Sequence, residues 1–262
     1  MKNGKNGILF AATVWVVCLT LFIPSAAQGA DAYSWFCVHA KDHRRPRIDP
    51  QLAFAETLGG YFLDRKVDDA SADRVVYLTF DAGYENGNVA KVLDALRDEG
   101  VPAAFFVLEN LIRKEPDLVR RMVAEGHTVA NHTAHHRDMS RADGQTLLRE
   151  LQALETDYRE LTGAEMPRFY RPPEGKFSRS NLETLSENGY RTVFWSFAYP
   201  DWDNDRQMSA ERAKAIILEN LHNGEVMLLH PTSATNAAIL GDVIRAIKAE
   251  GYRFGTLDEL VA

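Results

Sequence analysis

Val75-Val76-Tyr77-Leu78-Thr79-Phe80-Asp81-Ala82-Gly83-Tyr84-Glu85-Asn86-Gly87 is an apolar run that ends on an acid and opens into a polar, glycine-bearing loop. The run over 75–80 predicts a buried strand, and Val89, Val92, Leu93 and Leu96 beyond the loop have the spacing of one helix face. Gly100 closes that helix. Asp81 therefore stands at the end of a strand, at the mouth of a βα loop, where α/β proteins carry their chemistry. Taken alone, Asp81 also reads as a turn or N-capping residue.

The strand–helix alternation repeats outward from this unit. Strands are predicted over 103–108, 127–130, 168–170, 192–197 and 226–229. Between them, Pro116 opens a helix that ends at Gly126, and Leu147, Leu151, Leu154, Tyr158 and Leu161 mark a long apolar stripe closed by Gly163. Further helices are expected from Ser180, over 210–221 and over 239–247, and Thr256 with Glu259 fits a capping box for a last short helix. Such alternation implies a largely parallel sheet with crossover helices. Periodicity does not decide between an open sheet and a barrel.

The chain of 262 residues is 45% hydrophobic and 26% charged, an ordinary globular balance. Its net charge of −7 makes a nucleic-acid partner unexpected. Lys2 and Lys5 precede an apolar run from Ile8 to Ile23 and the small residues Ser25-Ala26-Ala27, the pattern of a secretory signal, or of an anchor if uncleaved. Val17 before Cys18 does not suit a lipoprotein, and two cysteines make no disulfide framework. The organisation read from this is a signal segment 1–27, a packing segment 28–73 carrying Phe54, Leu58, Tyr61 and Phe62, and a main domain 74–262. The expected location is secreted or in the cell envelope, with membrane contact only through the N-terminal segment.

Four further clusters bear chemistry. His132 and His136 stand at i and i+4, which on a helical turn puts both rings on one face within reach of one cation. They also read as surface or capping histidines, and His135 lies off the ligand pattern. In Arg171-Pro172-Pro173-Glu174-Gly175 two prolines fix an extended loop and a glycine permits a turn. Asp201-Trp202 follows the 192–197 strand, either as a polar turn with a packing Trp or as a site acid beside an aromatic platform. Leu228-Leu229-His230 is an apolar strand that ends in a histidine.

In order and spacing, these five stretches resemble the motifs of the polysaccharide deacetylases, the NodB-homology family. Tyr84-Glu85-Asn86-Gly87 resembles the branch that forms muramic δ-lactam in peptidoglycan. The resemblance covers roughly residues 50–262 and implies a single-domain α/β fold, a distorted (β/α)7 barrel. It implies Asp81 as catalytic base, Arg171 as its partner, and His230 as the acid that releases the amine, with Asp201 raising its pKa. It implies Leu228 as lining for the acetyl methyl, and Tyr84, Pro173 and Trp202 as sugar contacts. The Tyr170 N–H is the expected oxyanion donor. His132 and His136 would hold a divalent metal, zinc by analogy, although Ala82 stands where most of the family has a ligating Asp.

The implied reaction is hydrolysis of an N-acetyl group on peptidoglycan or another acetylated glycan. The branch points to N-acetylmuramic acid whose peptide stem has been removed, on the route to the δ-lactam that marks spore cortex. One alternative is the same chemistry on N-acetylglucosamine or chitin oligomers. Another is a secreted glycan-binding protein without catalysis, which would have no need of the acid–base pair Asp81 and His230.

Overall fold

The computed structural model describes Met1, residues 31–40 and residues 42–262; the signal-type segment lies otherwise outside the described residues. In chain order the strands are β1 (Ala32–Ser34), β2 (Gly60–Tyr61), β3 (Val75–Ala82), β4 (Ala104–Val107), β5 (Thr128–Asn131), β6 (Phe169–Tyr170), β7 (Lys176–Ser178), β8 (Arg191–Val193), β9 (Phe197–Ala198), β10 (Glu225–Leu229) and β11 (Arg253–Phe254). The helices are α1 (Phe54–Thr57), α2 (Val89–Glu99), α3 (Glu109–Lys114), α4 (Pro116–Ala124), α5 (Gly144–Thr162), α6 (Arg179–Glu187), α7 (Ala210–Glu219), α8 (Ala234–Ala249) and α9 (Leu257–Val261).

One sheet runs β2-β8-β6-β5-β4-β3-β10-β9, with β11 also on β3, and its pairings are parallel. It is the parallel sheet with outer helices that the strand–helix alternation predicts, curled into a half-barrel as the family resemblance implies. β3 is central and buried along its length except at Asp81. Its period of two sorts the side chains. Val76, Leu78, Phe80 and Ala82 share a core with Val92, Leu93 and Leu96 of α2 and Leu240 and Ile244 of α8. Val75 and Tyr77 belong to a second core with Phe106, Ala130, Val193 and Val226. By the same alternation Thr79 and Asp81 face the inside of the curl. Leu93 and Leu96 are fully buried, and each contributes roughly 1.5–3 kcal/mol of transfer free energy.

The helix boundaries follow local chemistry. Gly100 and Gly163 end α2 and α5 in the left-handed conformation. Ser178 and Asn181 form a capping box at α6, while the Thr256 hydroxyl caps α9 by accepting from the Glu259 N–H. Two expectations change. The strand predicted over 192–197 is two strands, because the chain switches partners: Phe194 N–H donates to Tyr61 O (2.7 Å) and Ser196 N–H to Val226 O (3.0 Å). The short helix α3 precedes Pro116; one turn of pattern around Leu111 is too little to announce it. The segment 28–73 packs on the main domain, with β2 paired to β8 and β1 antiparallel on β7. No helix among the described residues is long and apolar enough to cross a membrane.

Candidate active site

The C-terminal ends of β3, β5, β6 and β10 meet at one mouth. Asp81 accepts a hydrogen bond from Arg171 Nη1 at 2.8 Å, and its other oxygen lies 3.5 Å from His132 Nε2. Arg171 is fully buried, and the rest of its fork is spoken for. Nε donates to Val193 O (3.0 Å), and Nη2 to the Thr79 hydroxyl (2.8 Å) and Phe194 O (3.2 Å). Its guanidinium lies 4.2 Å from the centre of the Phe106 ring. Burial pushes the Asp81 carboxyl up, but His132, Arg171 and His230 together outweigh it and hold the pKa below the usual range. Burial lowers His132 to about 4, so His132 is neutral at pH 7 and Arg171 is the lasting positive charge beside Asp81.

His132 and His136 do not stand on a helical turn. The segment after β5 is a loop in which Thr133 (φ 71°) and His136 (φ 56°) take the left-handed conformation. Asn131 shapes it: its Oδ1 accepts from Thr133 N–H (2.9 Å), and the Thr133 hydroxyl accepts from His136 N–H (3.0 Å). The two rings nevertheless come together edge to face, 5.0 Å between centres. His132 Nδ1 donates to Arg171 O (2.9 Å), which turns Nε2 and its lone pair the other way. His135 is exposed and pairs with Glu150 (3.0 Å) and Glu109 (3.5 Å), away from the ligand role.

His230 and Asp201 form the second half. Asp201 accepts from the His230 backbone N–H (2.8 Å) and from its Nδ1 (2.7 Å). Asn236 at the start of α8 donates to the same carboxylate (2.6 Å) and to His230 O (3.2 Å), and the Tyr199 hydroxyl donates to Asn236. Burial opposes protonation of His230, but its hydrogen bond to Asp201 and the charges of Asp201 and Asp81 prevail and raise its pKa. Asn236, Thr79 and Asn131 escaped the sequence reading. Their roles depend on partners remote in sequence; the local signal at Asn236 is a capping spacing from Ser233, whose hydroxyl accepts from Asn236 N–H (3.1 Å).

Trp202 is 59% exposed, with its ring 6.2 Å from that of His230, and Tyr84 is 43% exposed and bound through its hydroxyl to Asn204 (2.6 Å). Leu228 and Pro173 are buried near the same mouth. Glu85 accepts from Gly87 N–H (2.7 Å) and Val89 N–H (2.9 Å) and so ties the loop to the start of α2. Tyr170 is corrected. It is paired on both sides, with Asn131 of β5 and Thr192 of β8, so its main chain belongs to the sheet and not to the mouth.

The sequence profile of the polysaccharide deacetylases matches residues 68–193. The peptidoglycan-N-acetylmuramic acid deacetylase PdaA of Bacillus subtilis is 32% identical over 252 residues, 94% of each chain. The chain belongs to the polysaccharide deacetylase family. The solved structure of PdaA, a family 4 carbohydrate esterase, superposes with a TM-score of 0.82 at 34% identity over 88% of this chain and 97% of that one. An uncharacterised 30.6 kDa protein of Geobacillus stearothermophilus is 43% identical over 90% of this chain and 88% of its own. A chitooligosaccharide deacetylase of Bradyrhizobium is 35% identical over 70% of this chain and 85% of its own. This polysaccharide deacetylase is thus a hydrolase of non-peptide carbon–nitrogen bonds.

Deacetylases of this family are generally metal-dependent. Here His132 suits a cation: it is neutral, and its Nδ1 is anchored so that Nε2 is offered. His136 is the second imidazole. The third, carboxylate donor is missing, because Ala82 has no ligating atom and no group of three His, Cys, Asp or Glu with metal-holding geometry occurs among the described residues.

Proposed function

We propose that this enzyme removes the acetyl group from N-acetylmuramic acid residues of peptidoglycan that have lost their peptide stems, on the route to muramic δ-lactam. It acts outside the cytoplasm, where that polymer lies. The observation that carries the chemistry is the pair of opposed, separately braced groups. Asp81 is kept ionised by Arg171, and His230 is kept protonatable by Asp201. The choice of sugar rests on the likeness to PdaA along nearly the whole chain. The chitooligosaccharide deacetylase likeness supports N-acetylglucosamine polymers as the alternative.

Asp81 takes a proton from the attacking water, and its depressed pKa keeps it available for that at neutral pH. His230 donates through Nε2 to the departing amine, since Asp201 fixes Nδ1 as the inward donor. Asn236 keeps the Asp201 carboxylate from turning. The loop residue whose N–H is unclaimed by another described residue is Glu174, held at φ 54°. We assign the oxyanion donor there in place of Tyr170. Trp202 and Tyr84 offer flat faces to the sugars, and Leu228 receives the acetyl methyl. A divalent ion bound by His132 and His136 would supply Lewis-acid polarisation of the amide oxygen.

The bracing of two titratable groups on opposite sides of one mouth is unnecessary in a protein that only binds glycan. The test is mass spectrometry of stem-free peptidoglycan incubated with the mature enzyme, with and without a chelator and beside Asp81→Asn. Loss of acetyl from muramic acid, abolished in Asp81→Asn while glycan binding persists, is the expected result. Loss only from N-acetylglucosamine would transfer the assignment to that sugar. Full activity in Asp81→Asn would overturn the base assignment.

A further inference from the structure

Arg171 is oriented by two main-chain carbonyls, Val193 O and Phe194 O, that stand just where the sheet ladder breaks off between β8 and β9. No strand is assigned to 194–196; Phe194 N–H to Tyr61 O (2.7 Å) and Ser196 N–H to Val226 O (3.0 Å) tie the bend at its two ends, and a further contact holds Trp195 between them. That contact comes from the N-terminal arm, ahead of the residues that the family profile matches. Trp35, 4% exposed, donates its indole N–H to Trp195 O at 2.9 Å and stacks on Phe194 with 4.2 Å between ring centres. Its own backbone N–H donates to Gly175 O at 2.8 Å. The preceding residues Ala32–Ser34 pair with Lys176–Ser178. Trp35 thus joins the two segments that flank Arg171, the 171–175 loop and the 193–195 bend.

The packing at Gly175 shows how close this joint is. Gly175 is held at φ +66°, and a Cβ there would fall 2.8 Å from the Trp195 ring and 3.1 Å from Trp35 Cβ. The bend, the loop and the arm are in direct contact. A small shift of the bend would move both carbonyls together. The Arg171 fork would follow, and with it Asp81, its fourth hydrogen-bonding partner.

We infer that Trp35 is a positioning residue of the deacetylase: it clamps the 193–195 bend to the 171–175 loop and so fixes the guanidinium that aims Asp81. The inference rests on the reading of Asp81 and Arg171 given under Proposed function. The clamp acts on the chemical step, because Asp81 addresses the water and not the sugar, so it moves kcat and leaves KM in place. A misplacement on the order of 1 Å costs about 100-fold in rate.

The experiment compares the mature chain with Trp35→Phe, Trp35→Ala and Leu52→Ala, measuring kcat, KM, thermal stability and the hydrogen-exchange rate of Arg171 Nε–H by NMR. Trp35→Phe retains a ring against Phe194 and removes the indole donor; a fall in kcat of about tenfold at unchanged KM is expected, one lost hydrogen bond being near a factor of ten. Trp35→Ala should lose about 100-fold and speed the Arg171 Nε–H exchange at least tenfold. Leu52, 3% exposed in the same apolar cluster, bonds to neither segment through its side chain; its truncation should lower stability without moving kcat or that exchange. If Trp35→Ala does not fold, Trp35→Phe decides. Unchanged kcat and unchanged exchange in Trp35→Phe, or an equal fall of kcat in Leu52→Ala, overturns the clamp. A wild-type chain that deacetylates no glycan overturns the proposed function instead, and the Arg171 exchange rate still tests the clamp.

Discussion

Replacing Arg171 by Lys keeps the charge beside Asp81 and removes the fork. The guanidinium makes four bonds, to Asp81, Thr79, Val193 O and Phe194 O, at 2.8 to 3.2 Å. A single ammonium at the end of a flexible stem cannot span carbonyls and carboxylate together. If it stays with Asp81, at least two buried acceptors lose their partner, at roughly 1–3 kcal/mol each. The site is fully enclosed, so water does not replace them. Relaxation recovers part of this, and a net destabilisation of about 3–5 kcal/mol is expected, the cost of breaking a buried ionic network. For a domain of this size that is a fall in Tm of roughly 6–20 °C. Asp81 loses its fixed orientation at the same time, and kcat should drop about 100-fold. Arg171→Met is the companion. It removes the charge as well, so the Asp81 pKa should rise and the acid side of the rate profile should move to higher pH, which Arg171→Lys should not do. Urea unfolding and steady-state deacetylation measure these separately. Stability within 1 kcal/mol of wild type, with kcat within about twofold, would refute the reasoning, since the fork would then hold nothing.

Four further outcomes follow from the same geometry. The rate should be bell-shaped in pH: it falls on the acid side below the ordinary Asp pKa of about 3.9, as Asp81 protonates, and on the basic side above the ordinary His value of about 6.5, as His230 loses its proton. Asp201→Asn removes the charge that holds His230 up, so the basic limb should move to lower pH; an unmoved limb would mean that another group is the acid. Glu225 is fully buried, one of its oxygens has no partner, and burial raises its pKa well above the usual value. A raised folded-state pKa gives stability that is complete below about 4.5 and is lost as pH rises through the folded value. Glu225→Gln should therefore flatten the decline of Tm towards neutral and higher pH, and an unchanged slope would place the proton elsewhere. Ala82→Asp buries a carboxylate in the apolar core between β3 and α2, so Tm without metal should fall, and added zinc should restore it and bind more tightly in a competition titration only if the end of β3 turns that carboxylate to the imidazoles. Affinity equal to wild type would mean that position 82 does not face the imidazoles.

Much of the site was legible because its residues sit at the ends of strands with strong local patterns. Asp81 is the next-to-last residue of an eight-residue buried strand, and His230 follows a five-residue one. A run of buried apolar residues announces where it stops. His132 and His136 were found by a spacing argument whose geometry was wrong. They meet through an Asn131 turn and two left-handed residues, which no helical periodicity contains. Tyr170 was misassigned because a sequence does not tell which main-chain N–H groups a sheet consumes. The 192–197 strand was read as one piece because its composition is continuous; its division lies in a change of partner.

The sequence alone determined the alternation of strands and helices, the helix ends at Gly100 and Gly163, and the acidic and histidine-bearing strand termini. Each of these depends on side chains within one turn or one strand of each other. Tertiary structure alone decided that Arg171 spans from β6 to β3, that Asn236 secures Asp201, and that Trp35 reaches back across 160 residues to the bend beside Arg171. Those contacts link elements far apart in the chain, through main-chain carbonyls that every residue possesses. Residue type therefore carries no mark of them, and they exist only once the sheet has curled.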